Sequence, residues 1–279
     1  MKQKIVFFGS SRYVIPVIKV LKEKFELVLV VTTEQNSSNA IPFYCQANRI
    51  PYVCVSAFSN QTLNSQLSIL NSELAVLAYF GLIIPQKVLK IFSKGIINIH
   101  PSLLPKYRGP TPVQNAILNG ERITGVSTIK LDDKIDHGPV LTQKEEKILE
   151  DDTADTLYAR LFKIEADLIY QTIKQYIKGD LKPQQQDHSK ATLTKLLQKN
   201  DGLINFDSPP SPVRIDRMIR AFYPWPGVFF KYNFDDKEKI IKLLPKNKIQ
   251  VEGKNPVSYK DFTNGYPKGK DILEKLGLI

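Results

Sequence analysis

The chain has 279 residues, enough for one large domain or, as we expect, for a principal domain and a smaller one. Hydrophobic residues (42%) and charged residues (24%) occur in the proportions of an ordinary globular protein, and no stretch approaches the length of a membrane span. The formal charge of +11 is compatible with a polyanionic partner such as nucleic acid and equally with a merely basic enzyme, and charge alone does not separate the two.

The cysteines and the first residues indicate the compartment. Cys45 and Cys54 form neither a Cys-x-x-Cys pair nor a zinc-binding spacing, so a reducing environment is expected. The start, Met1 to Lys4 followed by a short apolar run, is too brief for the apolar region of a signal peptide. We therefore expect a soluble cytoplasmic protein.

The first half of the chain alternates short apolar runs with helical patterns. A continuous apolar run of four to six residues indicates a strand that is buried on both faces. Five such runs lie at 5–8, 27–31, 52–55, 74–78 and 96–99. They predict an α/β fold with a doubly wound, mostly parallel, Rossmann-like sheet, whose ligand crevice lies beyond the carboxyl ends of the strands.

The second half is less regular. Strands are predicted at 126–131 and 140–147, a long amphipathic helix at 153–177, and a linker rich in Gln, Lys, Ser and Thr at 182–199. A small, mostly β module follows, with strands at 203–206, 228–232 and 240–244, a helix at 212–222 and a last helix at 271–276. The expected division is a catalytic domain at 1–189, a linker at 190–202 and a C-terminal domain, a shortened OB-like barrel, at 203–279.

Two polar residues end the fifth apolar run. Period-two alternation places Asn98 and His100 on one face of the strand and Ile99 on the other. Such a histidine is either catalytic or a core residue satisfied by a backbone carbonyl, and the strand pattern leaves both open. The loop that follows contains two prolines, Pro101 and Pro105, and so holds the polar pair beside a rigid apolar shelf. Asp136, in a turn between two predicted strands, would not stand out on its own because Asp is common in turns.

These residues belong to a longer motif. Residues 98–105 read Asn-Ile-His-Pro-Ser-Leu-Leu-Pro, residues 107–109 read Tyr-Arg-Gly, and Asp136 lies two positions before a glycine. The set resembles the 10-formyltetrahydrofolate-dependent formyltransferases, with matching intervals. The resemblance implies that Asn98, His100 and Asp136 form the catalytic trio. It also implies that 10-formyltetrahydrofolate is the formyl donor and that the loop Ser102, Leu103, Leu104 and Pro105 lines the folate site.

Three further segments extend the resemblance over about residues 4 to 230. Residues 78–85 are similar to the loop that holds the pterin in this family, with an extra Phe, which implies folate contacts from Phe80, Gly81, Leu82 and Ile84. Residues 191–196 together with 201–206 look like the linker of the members that act on charged tRNA, and residues 219–227, with Pro-Trp-Pro, look like the opening of their second domain. The implied acceptor is the methionine of initiator methionyl-tRNA, for translation initiation, and we expect a monomer.

Formyl transfer requires an amine to attack an amide-like carbonyl, so negative charge develops on the formyl oxygen. We expect Asn98 to donate a hydrogen bond to that oxygen, because one such donor contributes about 2.7–4 kcal/mol. His100 is the expected proton carrier and Asp136 the residue that orients it or a water molecule. No metal-ligand spacing occurs near the motif and neither cysteine lies there, so direct transfer without a metal or covalent intermediate is expected.

Other residues carry weaker predictions. Gly9-Ser10-Ser11 lacks the glycine spacing of a dinucleotide-binding loop. His137 is expected to be an exposed turn residue, His188 a linker residue, and Trp225 a packing anchor rather than a base-stacking platform. Candidate tRNA phosphate contacts are Arg108, Lys242, Lys246 and Lys248.

The sequence departs from the tRNA-acting members at two places. Residues 33–48 contain no Lys or Arg, where those members carry a long basic loop, and the C-terminal module is short. The rival interpretations are therefore a formyltransferase that acts on an amino-sugar nucleotide and an RNA-binding protein with an idle catalytic fold.

Overall fold

The predicted apolar runs form strands in the computed structural model, which describes residues 2–33, 40–58, 61–234 and 237–279. The strands of the first half are β1 (Lys4–Gly9), β2 (Glu26–Thr33), β3 (Tyr52–Val55), β4 (Leu74–Ala78), β5 (Gly95–His100), β6 (Ile123–Lys130) and β7 (Val140–Lys147). They form one sheet in the order β3-β2-β1-β4-β5-β6-β7. Strands β1 to β5 are parallel and β6 runs antiparallel to β5. The predicted mostly parallel, doubly wound sheet is confirmed.

Helices connect these strands as a doubly wound fold requires. They are α1 (Ile15–Lys24), α2 (Ala40–Ala47), α3 (Gln61–Ile69), α4 (Gln86–Leu89), α5 (Pro112–Leu118) and α6 (Ala154–Lys178). The apolar side chains of β1 and β4 are almost all fully buried, with Phe8 packed edge-on against Phe80 and Phe92. This packing fixes the carboxyl ends of adjacent strands at one edge of the sheet, where the ligand crevice is expected.

The C-terminal segment contains α7 (Pro212–Ala221), β8 (Val228–Phe234), β9 (Lys237–Leu244), β10 (Lys248–Val251), β11 (Val257–Ser258), α8 (Tyr259–Gly265) and α9 (Gly269–Lys275). Its strands form an antiparallel sheet in the order β11-β10-β9-β8, an open sheet where a shortened barrel was expected. The predicted strand at 203–206 is wrong: Leu203 makes only an isolated bridge to Phe229. The predicted last helix is confirmed, whereas α8, β10 and β11 were not predicted.

The chain divides into two compact units that do not follow the sequence order. One consists of Met1–Pro110, Thr124–Glu146 and Tyr158–Thr194, and the other of Thr111–Ile123, Lys147–Leu157 and Lys195–Ile279. Helix α5 therefore belongs to the second unit, where it packs on α7. The predicted linker is shared between the units, and the domain limits inferred from the sequence stay a prediction.

Several smaller expectations are settled by burial. Trp225 exposes 54% of its surface, so the expectation of a packing anchor is wrong. Cys45 and Cys54 are both free thiols, and burial raises the pKa of Cys45 to about 11, which keeps it protonated. Residues 33–48, where the tRNA-acting members carry a long basic loop, lie partly outside the described residues. No helix among the described residues is long and apolar enough to span a bilayer.

Candidate active site

Asn98 and His100 occupy the carboxyl end of β5, next to the antiparallel strand β6. Each exposes 5% of its surface, and both face the loop between β6 and β7 that carries Asp136. The Asn98 Nδ2 group donates to Asp136 Oδ1 at 3.0 Å, and His100 Nδ1 lies 3.4 Å from Asp136 Oδ2. The predicted shared face of Asn98 and His100 is confirmed. The three side chains are brought together although 38 positions separate the first from the last.

The segment after the proline-rich loop completes this arrangement. The Gly109 N–H donates to Asp136 Oδ2 at 2.8 Å, and His100 Nε2 lies 2.9 Å from the Tyr107 carbonyl oxygen. Tyr107 has φ 60° and Gly109 has φ 105°, so the chain turns sharply to present both backbone groups. The Asp136 carboxylate, in the turn between β6 and β7, thus contacts both strand β5 and the loop that follows it.

The two nitrogens of His100 both face oxygen acceptors. Tyr107 O can only accept, and the Asp136 carboxylate accepts when ionised. A ring with both nitrogens protonated therefore satisfies both neighbours. Asn98 Nδ2 carries two hydrogens, of which one is directed to Asp136, so the second can serve a substrate oxygen. Together these residues offer an imidazole ring, a carboxylate and an amide donor within one cluster.

Domain comparison identifies the family to which this geometry belongs. Residues 3–173 match the formyl transferase family, and residues 196–248 match the formyl transferase C-terminal domain. The chain belongs to the formyltransferases. The resemblance inferred from the sequence motifs is confirmed by this match over more than half of the chain.

Relatives of this formyltransferase have known names. A methionyl-tRNA formyltransferase of Thermodesulfovibrio yellowstonii is 34% identical, over 95% of this chain and 96% of the relative. A methionyl-tRNA formyltransferase of Chloroflexus aurantiacus is 38% identical, over 81% of this chain and 75% of the relative. Among solved structures, the sugar 3N-formyl transferase WlaRD, determined with dTDP and 5-N-formyl-THF, has a TM-score of 0.65 at 20% identity and covers 91% of this chain and all (100%) of that one. That last likeness shows the fold alone.

The proline-rich loop of this formyltransferase is held by residues that the sequence did not single out. Ser127 Oγ donates to the Ser102 carbonyl at 2.5 Å and accepts from the Leu104 N–H at 3.1 Å. Gln143 Nε2 donates to the Leu104 carbonyl at 2.8 Å. The Leu104 N–H is therefore bonded inside the protein. Leu103 and Pro105 are half-buried.

The loop after β4 lies at the same edge of the sheet as Asn98 and His100 at the carboxyl end of β5, because β4 and β5 are adjacent and parallel. Gly81 is exposed, and Leu82 and Ile84 are half-buried. The ring of Phe80 packs on Phe8 at 5.6 Å and on Phe58 at 6.0 Å between centroids, so much of it serves the core. The folate contacts expected from this loop stay a prediction.

Arg108 does not lie where the sequence placed it. The side chain exposes 6% of its surface, and its guanidinium donates to Gln186 Oε1 and to His188 Nδ1, the latter at 2.8 Å. The expected phosphate contact therefore conflicts with this conformation. By contrast, Lys242, Lys246 and Lys248 are all exposed on the hairpin of β9 and β10.

His137 and His188 form a stacked pair rather than two isolated surface residues. Their rings lie 3.9 Å apart between centroids and 8° from parallel, and His137 Nδ1 lies 2.6 Å from Asp132 Oδ2. Because Arg108 donates to His188 Nδ1, that nitrogen must be an acceptor. Desolvation and then the charges of His137 and Arg108 lower the pKa of His188, which agrees with a neutral ring.

Proposed function

We propose that this formyltransferase transfers the formyl group of 10-formyltetrahydrofolate to the α-amino group of methionine on charged initiator tRNA, a step of translation initiation. The observation that carries the reaction type is the contact of Asn98, His100 and the Gly109 N–H with one carboxylate, that of Asp136. The acceptor is supported by the names of relatives that are 34% and 38% identical over most of this chain.

The proposed chemistry begins with attack by the neutral amine on the formyl carbon. As the carbonyl becomes tetrahedral, its oxygen gains negative charge, which the second Nδ2 hydrogen of Asn98 can stabilise. Such a donor lowers the barrier by about 2.7–4 kcal/mol, because it is already oriented before the charge develops. The Asp136 carboxylate fixes the Asn98 amide through its other hydrogen. A rotated amide would lose both interactions.

Proton movements are assigned to His100 and Asp136. The amine must lose a proton as its bond to carbon forms, and the folate nitrogen must gain one as its bond breaks. We assign the imidazolium of His100 as the donor to the leaving nitrogen. The Asp136 carboxylate accepts the amine proton, directly or through a water molecule, and the two residues then re-equilibrate across their 3.4 Å separation.

We propose that the folate donor lies between the two loops that follow β4 and β5. Ser102, Leu103, Leu104 and Pro105 would form one wall, and Phe80, Gly81, Leu82 and Ile84 the other. The buried Ser102 and Leu104 give the first wall a fixed shape. The sugar 3N-formyl transferase WlaRD, which shares the fold, was determined with a folate, 5-N-formyl-THF.

The tRNA contact is proposed for the hairpin of β9 and β10. Lys242 and Lys248 point to the same face of the sheet, because Lys242 pairs with Gln250 and Lys248 with Leu244, and Lys246 lies in the turn. Three exposed lysines on one hairpin can neutralise phosphates without reading sequence. The net charge of +11 is compatible with the same kind of partner. We further propose that the protein acts as a cytoplasmic monomer.

Formation of N-formylmethionine tests the proposal. The protein is incubated with 10-formyltetrahydrofolate and charged initiator methionyl-tRNA. The aminoacyl ester is then hydrolysed, and the released amino acid is identified and quantified by mass spectrometry. We expect formylmethionine in proportion to enzyme, and none from His100→Asn. Absence of formylmethionine with a folded wild-type protein would contradict the proposed acceptor.

A further inference from the structure

A single buried glutamine stands out in a segment that is otherwise exposed. Gln186 exposes 7% of its surface, whereas its neighbours Gln184, Gln185 and Asp187 are all exposed. The segment lies in the predicted linker at 182–199. It pairs with the catalytic region through an isolated parallel bridge between Leu193 and Arg108. Burial of one polar side chain in such a segment requires bonding partners, since an unsatisfied buried amide is costly.

Gln186 uses its whole hydrogen-bonding capacity. Its Oε1 accepts from Arg108 Nε at 3.2 Å and from a terminal guanidinium nitrogen of Arg108 at 2.7 Å. Its Nε2 donates to the carbonyl of Asp136 at 2.9 Å and to the carbonyl of Gly138 at 2.7 Å. A carboxamide has two donor hydrogens and two acceptor lone pairs, so all four are occupied.

These four bonds join the two segments that surround the catalytic carboxylate. On one side, Arg108 lies between Tyr107, whose carbonyl faces His100, and Gly109, whose N–H binds Asp136. On the other side, Gln186 binds the backbone of Asp136 itself. Asp136 has φ 47°, a left-handed conformation that costs energy for any residue with a Cβ. A hydrogen bond to its carbonyl helps to hold it there.

We propose that Gln186 is a positioning residue for formyl transfer: it fixes the Asp136 carboxylate between Asn98, His100 and the Gly109 N–H. The expected effect of Gln186 on the rate rests on the proposed function. Its effect on the position of the Asp136 carboxylate does not. Gln186 acts through the backbone of Asp136 and through Arg108. Because a misplacement of about 1 Å at a reacting group can cost about 100-fold in rate, loss of these bonds lowers kcat more than it raises KM.

Only a glutamine fits this role. A glutamate at 186 would still accept from Arg108 but would face the carbonyls of Asp136 and Gly138 with no donor. An asparagine keeps the carboxamide but is one methylene shorter, so it cannot span both segments. Gln186→Glu therefore removes the hydrogen bonds to the carbonyls of Asp136 and Gly138. Gln186→Asn leaves a side chain too short to bond Arg108 and these carbonyls at the same time. The exposed neighbour Gln185 provides the matched control, Gln185→Glu.

The first test is kinetic. For Gln186→Glu we expect kcat to fall about tenfold to 100-fold, with KM for both substrates within about twofold of wild type. Gln185→Glu should keep the wild-type values. An unchanged kcat per folded molecule in Gln186→Glu would overturn the proposal. If that variant does not fold, Gln186→Asn is measured in its place and decides by the same criterion.

The second test does not need turnover. The chain has three histidines, so the ring nitrogens of His100 can be assigned by 15N NMR with a His100→Asn reference. Loosening of Asp136 should shift the His100 signals in Gln186→Glu toward those of Asp136→Asn. If Gln186 only stabilises the fold, Gln186→Glu will lower Tm but leave the His100 signals in place. That result would overturn the proposal. If wild type forms no formylmethionine but the His100 signals still shift, the proposed acceptor fails and the positioning role stands.

Discussion

At the scale of single residues, the site depends on the charge of one carboxylate. Both Asn98 and Gly109 donate hydrogen bonds to Asp136, and His100 lies beside it. Asp136→Asn keeps the size of the side chain but replaces one acceptor with a donor, so at least one neighbour must turn away. We expect kcat to fall about 100-fold to 1,000-fold while the far-UV circular dichroism is retained.

The exposed Asp133 lies in the same turn and gives the control for this prediction. Asp133→Asn should keep the wild-type rate of formyl transfer. A rate for Asp136→Asn within threefold of that control would remove the Asp136 carboxylate from the mechanism.

A second residue-scale prediction concerns Glu165, a buried residue of α6. Its carboxyl accepts from Thr128 Oγ1 at 2.8 Å, and Thr128 pairs with Ile99 in β5. Burial raises the pKa of Glu165 to about 8 from the ordinary 4.5, an effect partly opposed by the Thr128 hydrogen bond. The folded state therefore holds the neutral acid while the unfolded state ionises.

The sign of the resulting pH dependence follows directly. Below pH 4.5 both states are protonated and Glu165 has no effect on stability. Between pH 4.5 and about 8 the unfolded state alone is ionised, so the free energy of unfolding falls as pH rises, by about 3 kcal/mol at pH 7. Glu165→Gln should remove this loss and raise Tm at pH 7.5, whereas the exposed Asp167→Asn on the same helix should not. Equal pH dependence of Tm in Glu165→Gln and wild type would contradict the assignment.

At the scale of elements, the turn between β6 and β7 is packed tightly against the end of β6. A Cβ at Gly138 would lie 1.8 Å from the carbonyl oxygen of Lys130, at the end of β6. Gly138→Ala must therefore push the turn away from the strand, and Asp136 moves with it. We expect a loss of about 1–3 kcal/mol in unfolding free energy together with a lower kcat.

Gly265 is the matched control for this change, because a Cβ there would meet no atom within 4 Å. Gly265→Ala should leave kcat unchanged and Tm equal or slightly higher. Wild-type kcat and Tm in Gly138→Ala would show that the turn is looser than its geometry indicates.

Elements were predictable from the sequence where periodicity is strong. The buried runs gave β1 to β5, and the 3.6-residue pattern gave α6 within one residue at each end (154–178 against 153–177). The contacts of the 182–199 segment were not predictable, because a run of Gln, Lys and Thr has no apolar period. Gln186 is indistinguishable by type from Gln184 and Gln185, and only the fold, which brings it to Arg108 and Asp136, separates them.

The same reasoning explains the error at Arg108. An arginine after a tyrosine in a loop is typically exposed, so a phosphate contact was a natural expectation. Its burial depends on acceptors nearly 80 positions away, Gln186 and His188, which no local pattern indicates. In contrast, Asn98 and His100 could be found because strand alternation and the motif agree. Asp136 was found only through the motif, since its turn is ordinary in composition.

At the scale of the whole molecule, the positive charge predicts how acceptor binding responds to salt. Each phosphate contact contributes about 0.9 to the slope of log affinity against log salt concentration. Replacing Lys242, Lys246 and Lys248 together with Ala should reduce that slope by about two to three and leave kcat at saturating tRNA unchanged. The exposed Lys260→Ala in α8 serves as the control. An unchanged slope in the triple variant would mean that tRNA binds elsewhere.

The central claim is that one site, built on Asn98, His100 and Asp136, formylates the amine of methionyl-tRNA. The most direct measurement offers two acceptors in one reaction: charged initiator methionyl-tRNA and a dTDP-linked amino sugar, with 10-formyltetrahydrofolate as the donor. We predict that formyl appears on methionine alone, and that Asn98→Ala lowers its rate by orders of magnitude. Formyl transfer to the amino sugar alone would contradict the account.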